Sequence, residues 1–342
     1  METVTKKERN CAIDLFRYVC AVLVVSIHTA PFSEIHPQLS FFFTGILPRI
    51  AVPYFFCVSG YFYLQKLEAG EKPYLPYMKR LLMTYSIWSC LYYAVAFAEW
   101  GHSSMKRFLL SSVVQFFITG SSDHFWFFPA LAFAVSLTTL FYRLNWKKAV
   151  VPVSLLCFSV GCISCTYYHF FAQIPLLKAF FTWKYYYVVR NFCFTAFPFF
   201  VCPLLIFKAA ALLPKTKRFS AAALTAAVIV WLLEVQLVRT MGWTRNLGLS
   251  FCLYLLLLAV MLFLLRHPLR SLQAPAEKAR ILANFTYYSH AFILTCLTYG
   301  CYALFGQEPT GTVKFVLTLA ISFFVGLACT RTRSKWVRLA VN

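Results

Sequence analysis

Acidic side chains are scarce. Only 11 Asp and Glu stand against 32 Lys and Arg in 342 residues, and 13% of the chain is charged. So little charge does not keep a globular chain of this size in water, which excludes a soluble enzyme with a large core. Glycine is sparse as well, at 12 residues, and the chain has no glycine-rich phosphate loop, internal repeat or low-complexity stretch. The basic start, Lys6, Lys7 and Arg9, is followed by no small-residue cleavage site. Asp14 and Arg17 would also spoil the apolar region of a signal peptide, so none is expected.

What the chain has is hydrophobicity, 61% of residues with mean hydropathy +0.68. The expected fold is therefore an all-α integral membrane protein. Ten apolar windows of spanning length run near 11–30, 40–65, 77–99, 124–143, 148–170, 186–207, 219–238, 247–266, 281–304 and 312–331. The stretch 108–120 is apolar but too short to span and reads as an interfacial or re-entrant helix. One transmembrane domain, 1–331, and a short basic cytoplasmic tail, 332–342, account for the chain. With the N-terminus in the cytoplasm, 22 of the 32 basic residues fall in cytoplasmic segments and 7 in outer loops. That asymmetry predicts both termini inside and a multi-pass protein of the inner (cytoplasmic) membrane. Basic loops facing anionic lipid account for the net charge of +21, so no nucleic-acid partner is required. The 13 cysteines lie mostly in the spans. Cys162 and Cys165 read as buried thiols, and no metal site is expected.

The first span carries Asp14, Arg17 and His28. A charge inside a membrane costs at least ~2.5–3.5 kcal/mol, so three ionisable groups in one span need a reason. At about 100° per residue, Arg17 and His28 lie about 20° apart around the helix, and Asp14 and His28 about 40°. All three share one stripe. Asp14 and Arg17 can pair at i and i+3, with the His28 imidazole roughly 16 Å further along. Arg49 in the second span, between Pro48 and Pro53, falls on the His28 side, and those prolines should bend or break the helix. Ser59-Gly60 offers a surface for close helix approach. His124 and Trp126 open the fourth span and Arg190 the sixth, at the outer level. Glu234 lies deep in the seventh span, either neutral, paired or a proton site. His290 in the ninth reads first as a packing histidine.

Asp14-x-x-Arg17-x10-His28, the string from Arg49 to Tyr61 (RIAVPYFFCVSGY) and His124-Phe-Trp126-Phe-Phe-Pro129 resemble, in order, motifs of the membrane-bound acyltransferase 3 family. Within it, the likeness is nearest to the membrane domain of the vancomycin-resistance membrane-bound serine racemases, without the racemase domain that follows there. The resemblance implies transfer of an acyl group, usually acetyl, from cytoplasmic acyl-coenzyme A to a hydroxyl of an extracytoplasmic glycan or similar acceptor. His28 then suits a general base, and Arg17, held by Asp14, a ligand for donor phosphate. Lys79 and Arg80 would capture the donor at the cytoplasmic mouth. Arg49, Ser59, His124, Trp126 and Arg190 would serve the acceptor or the oxyanion. Family acyltransferases carry R-x-x-R on entering the third span; here Arg80 is followed by Met83. The alternative is a serine-like or proton-coupled transporter, with Glu234 and His28 as relay sites and Arg17 or Arg190 binding a substrate carboxylate. A scaffold subunit whose charges only specify helix pairing is the third reading.

Overall fold

Long apolar runs fold as helices in a membrane because every backbone N–H and C=O must be satisfied within the segment. The computed structural model describes residues 10–99, 104–332 and 334–341, and among them no strand occurs. The basic residues Lys6, Lys7 and Arg9 lie outside the described residues. The spans are α1 (Cys11–Thr29), α2 (Pro37–Glu68) and α3 (Tyr74–Glu99). The short α4 (Met105–Val114) follows, then α5 (Asp123–Arg143), α6 (Lys147–Cys165), α7 (Tyr186–Leu212) and α8 (Lys217–Thr240). The chain ends with α9 (Phe251–Arg266), α10 (Gln273–Phe305), α11 (Gly311–Arg331) and α12 (Lys335–Val341).

Eight of these helices are long and apolar enough to cross a membrane, or nine if the bent pair α9 and α10 forms one span. Each of the ten expected windows holds a helix, with breaks at 166–167 and 247–250, yet the count differs for a physical reason. With 16 residues, α9 falls short of the ~20 that a span needs. The 33-residue α10 is long enough. Its middle, however, carries Asn284, Thr286, Tyr287, Tyr288, Ser289 and His290, which lower its hydropathy while most of them are buried in the bundle. The two helices meet at 86°.

As the prolines predict, α2 is irregular at its start. A π turn over Phe42–Ile46 and a 3₁₀ turn over Leu47–Ile50 precede the regular helix from Ala51. Gly60 lets α2 touch α7, since a Cβ there would stand 1.9 Å from the Phe200 carbonyl oxygen. The core between α2, α5, α7 and α9 is aromatic, with Tyr54, Phe56, Phe197, Phe199 and Phe200 fully buried. In lipid such packing holds helices together by dispersion and close fit.

The 108–120 stretch is helical over α4 and continues as a π turn, with no residue of either buried. It stops at Gly120, whose φ of 93° suits glycine and whose Cβ would collide with the Trp126 amide nitrogen at 2.3 Å. The segment expected as a basic tail contains α12, which docks on α3 and α10. Trp88 Nε1 donates to the Ala340 carbonyl (2.8 Å), Thr84 Oγ1 to that of Leu339 (3.0 Å) and Asn284 Nδ2 to that of Val341 (3.1 Å).

Candidate active site

The site is strung along α1, which packs against α10 on one side and α2 on the other. Asn10 caps the start of α1, its side chain accepting from the Ala12 N–H and donating to the Leu264 carbonyl. One turn on, Asp14 and Arg17 form the expected pair, Oδ1 to Nη1 3.9 Å, both largely withdrawn from solvent. At the other end of α1, the next loop is tied to α11. Phe32 N–H donates to Thr312 Oγ1, and Thr312 N–H to the Glu34 carboxylate. That carboxylate, between spans, is pushed down to about 2 by its own backbone N–H first and by the Thr312 hydroxyl next.

Around Arg17 lies a cavity of about 700 Å³. Arg17, Lys66, Lys72, Arg80 and Arg280 line it, against the carboxylates Asp14 and Glu71, and Ser59 and Tyr77 add hydroxyls. This is an anion-receptive chamber. Arg80 is thus brought to the same chamber as Arg17. Lys79 does not line the cavity, because the next position on a helix turns about 100° away; it stands exposed. Ser59, expected with the acceptor, lines this chamber beside Arg17 instead. Arg280 was not anticipated at all. It brings from α10 a third guanidinium, beside Arg17 and Arg80, to the chamber where Met83 leaves the R-x-x-R pair incomplete on α3.

Phe55, Phe127 and Tyr287 close the inner end of the chamber, with ring centroids 5.4 to 6.3 Å apart. Tyr287 faces both ways. It lines the chamber, and its hydroxyl donates to the His124 carbonyl at 2.8 Å. Beyond it three imidazoles gather, His28 from α1, His124 from α5 and His290 from α10. Ring centroids lie 5.1 Å apart for His28–His290, 4.5 Å for His124–His290 and 6.4 Å for His28–His124. His124 and His290 are buried, each with an Nε2 that meets no hydrogen-bond partner. The His28 side chain is exposed. Among the described residues no group of His, Cys, Asp or Glu is arranged to hold a metal ion.

The other candidates sit elsewhere. Arg49 donates from Nε to the Gly45 carbonyl at 2.8 Å. Arg190 is held by Asn191 Oδ1 (3.0 Å) and stacks over Tyr187. Neither has a ring contact or hydrogen bond with the histidines. Trp126 packs its ring on Phe56. Glu234 accepts from the Tyr167 hydroxyl (2.5 Å) and from the N–H groups of Phe251 and Cys252 (3.0 Å each), capping the start of α9. A carboxylate there satisfies orphan amides and meets the positive helix end, which is a structural task.

These features define a multi-pass membrane protein with a basic chamber joined through an aromatic wall to a histidine cluster. The chain belongs to the acyltransferase 3 family, whose acyltransferase domain matches residues 10–331. It is also similar to two amino-acid racemases of Enterococcus faecalis. One is 34% identical over 181 residues (52% of this chain, 26% of the relative) and the other 27% over 179 (52% and 25%). A serine/alanine racemase of Enterococcus gallinarum is 30% identical over 149 residues (41% and 21%). The chain thus spans about a quarter of the length of the curated relatives it matches. No solved structure matches it.

Proposed function

We propose that the protein is a membrane O-acyltransferase that passes an acyl group, acetyl above all, from acyl-coenzyme A to a hydroxyl of an extracytoplasmic glycan or similar acceptor. The observation that carries this reading is the placement of a basic chamber and a histidine cluster at opposite ends of one helix, with Tyr287 common to both. The donor's phosphates would be held by Arg17, Arg80 and Arg280, and its flexible arm would carry the thioester past Phe55 and Tyr287. His28, exposed and on the cluster's open side, would take the proton of the attacking hydroxyl. The membrane is the inner one, with both termini cytoplasmic, in line with the basic-residue asymmetry. Purified protein in liposomes, given labelled acetyl-coenzyme A outside and an oligosaccharide acceptor inside, should form acetyl ester.

Transport of an amino acid is the second reading: the relatives named as racemases act on amino acids, and the chamber is basic. The chamber's guanidinium groups would then hold a carboxylate. Serine exchange across the same liposomes without ester formation selects it.

The orientation has its own check. Reporters inserted after Ser33 and after Lys72 should report opposite sides of the membrane, and the same side for both would overturn it.

Donor binding is the third point of test. A phosphate contact at the chamber mouth is mainly ground-state binding, so Arg80→Ala should raise the apparent constant for the donor with little change in turnover. Losing one charge-assisted hydrogen bond of ~1.5–3 kcal/mol corresponds to about tenfold or more. Arg280→Ala should do the same, and the double variant should roughly multiply the two. An unchanged donor constant in both would remove the chamber from donor binding.

A further inference from the structure

Two carbonyl oxygens fix the protonation of His290. Its Nδ1 lies 2.8 Å from the Tyr287 carbonyl and 3.2 Å from that of Thr286, one turn back on α10. A carbonyl only accepts, so Nδ1 carries the proton and the lone pair of the neutral ring sits on Nε2. His290 is 0% exposed, and that Nε2 meets no donor. A histidine kept only for packing gains nothing from a buried acceptor without a donor, which destabilises the fold. Tautomer, burial and an unmet lone pair together point the ring at something.

The surroundings narrow the donor. The Tyr92 hydroxyl donates to the Tyr288 carbonyl and accepts from the Phe292 N–H. The Tyr287 hydroxyl is committed to the His124 carbonyl. His124 meets Ser122 through Nδ1, and its buried Nε2 is likewise without a partner, with the ring centroid 4.5 Å from that of His290, so His124 and His28 are the two rings within reach. His28 is the exposed ring of the cluster, 5.1 Å from His290 between centroids, and no hydrogen bond holds it among the described residues.

We propose that His290 is a positioning residue whose Nε2 receives the N–H of His28, leaving the His28 lone pair for the acceptor hydroxyl. This rests on the acyl-transfer reading. As the hydroxyl oxygen bonds to the thioester carbonyl carbon, its proton moves to the His28 lone pair. The imidazolium so formed keeps its other N–H on His290. Collapse breaks the carbon–sulfur bond, and the proton leaves His28 for the departing thiolate. His290 gains and loses no proton; its two backbone carbonyls keep it in the one tautomer that can accept.

The test compares wild type, His290→Gln and His290→Leu as full-length, folded protein in micelles. Nitrogen-15 histidine spectra are recorded, with the His28 signals assigned by His28→Asn. Glutamine places a carbonyl oxygen near the Nε2 position; leucine has no acceptor. Wild type and His290→Gln should show a single His28 tautomer, with transfer in the glutamine variant within about tenfold of wild type. His290→Leu should show mixed His28 tautomers, turnover lower by about a hundredfold and an unchanged acceptor KM. An identical His28 tautomer in wild type and His290→Leu overturns the proposal, as do equal turnover losses in the two variants with unaltered pH profiles. A tautomer change in a wild-type protein that transfers no acyl group would leave the positioning role intact and remove the acyl-transfer reading instead.

Discussion

His28→Ala is expected to lower acyl transfer by about 10²–10⁴, the usual worth of a positioned general base, while the protein remains folded and inserted. The two halves of that expectation have separate causes. The side chain is exposed on one side of the cluster, so removing its ring leaves little buried void. It is also the cluster's ring on the open side, beyond the aromatic wall from the basic chamber. The variant should keep the melting temperature of wild type and its affinity for the donor, because the chamber around Arg17 is roughly 16 Å away along the helix. Its pH–rate profile should lose the limb that imidazole titration imposes near neutrality. Transfer within threefold of wild type in a well-folded His28→Ala protein would move the proton-accepting role to another group. Transfer absent from wild type itself, with serine exchanged across the vesicle, would leave the transport reading in its place.

The parts of the site that share one helix were legible before the fold was. Asp14, Arg17 and His28 obey the 3.6-residue period, and that period alone places them on a stripe. The wall and the cluster were not legible in that way. His290 meets His28 only because α10 packs along α1 across more than 250 positions of sequence, and a lone histidine in an apolar window gives no sign of its neighbours. Arg280 was counted among the basic residues of a loop. It lies instead on α10, whose regular helix begins at Gln273. The partners of Glu234 escaped for another reason. Two of them are backbone amides at the start of α9, and any residue supplies an amide. The polar stripe that brings His290 and Tyr287 inward also lowers the hydropathy of α10, although the window 281–304 still reads as a span in the sequence. Polar residues inside a membrane thus blur the hydropathy signal where function is concentrated.

Arg17→Ala should be the most destabilising of the site substitutions, by about 3–5 kcal/mol, because it removes one partner of a buried ion pair and leaves the other charge in place. Asp14 is 4% exposed and Arg17 Nη1 lies 3.9 Å from its carboxylate. Its place in the first turn of α1 gives Asp14 some help from the helix N-terminus, worth about 0.3–1 kcal/mol at exposed sites, which is too little to replace a guanidinium. The cost belongs to the buried carboxylate that loses its guanidinium and not to the missing arginine stem. The double variant Asp14→Asn, Arg17→Met should then melt closer to wild type than Arg17→Ala does, since neither charge remains to be buried. The same double variant should still fail to bind the donor tightly, because Arg17 lines the chamber. Stability and donor affinity therefore separate. Melting of each detergent-solubilised protein reads the first, and titration with the donor reads the second. An Arg17→Ala protein that melts with wild type would show that the pair contributes nothing to the fold. A double variant with wild-type donor affinity would show that the guanidinium serves only to neutralise Asp14.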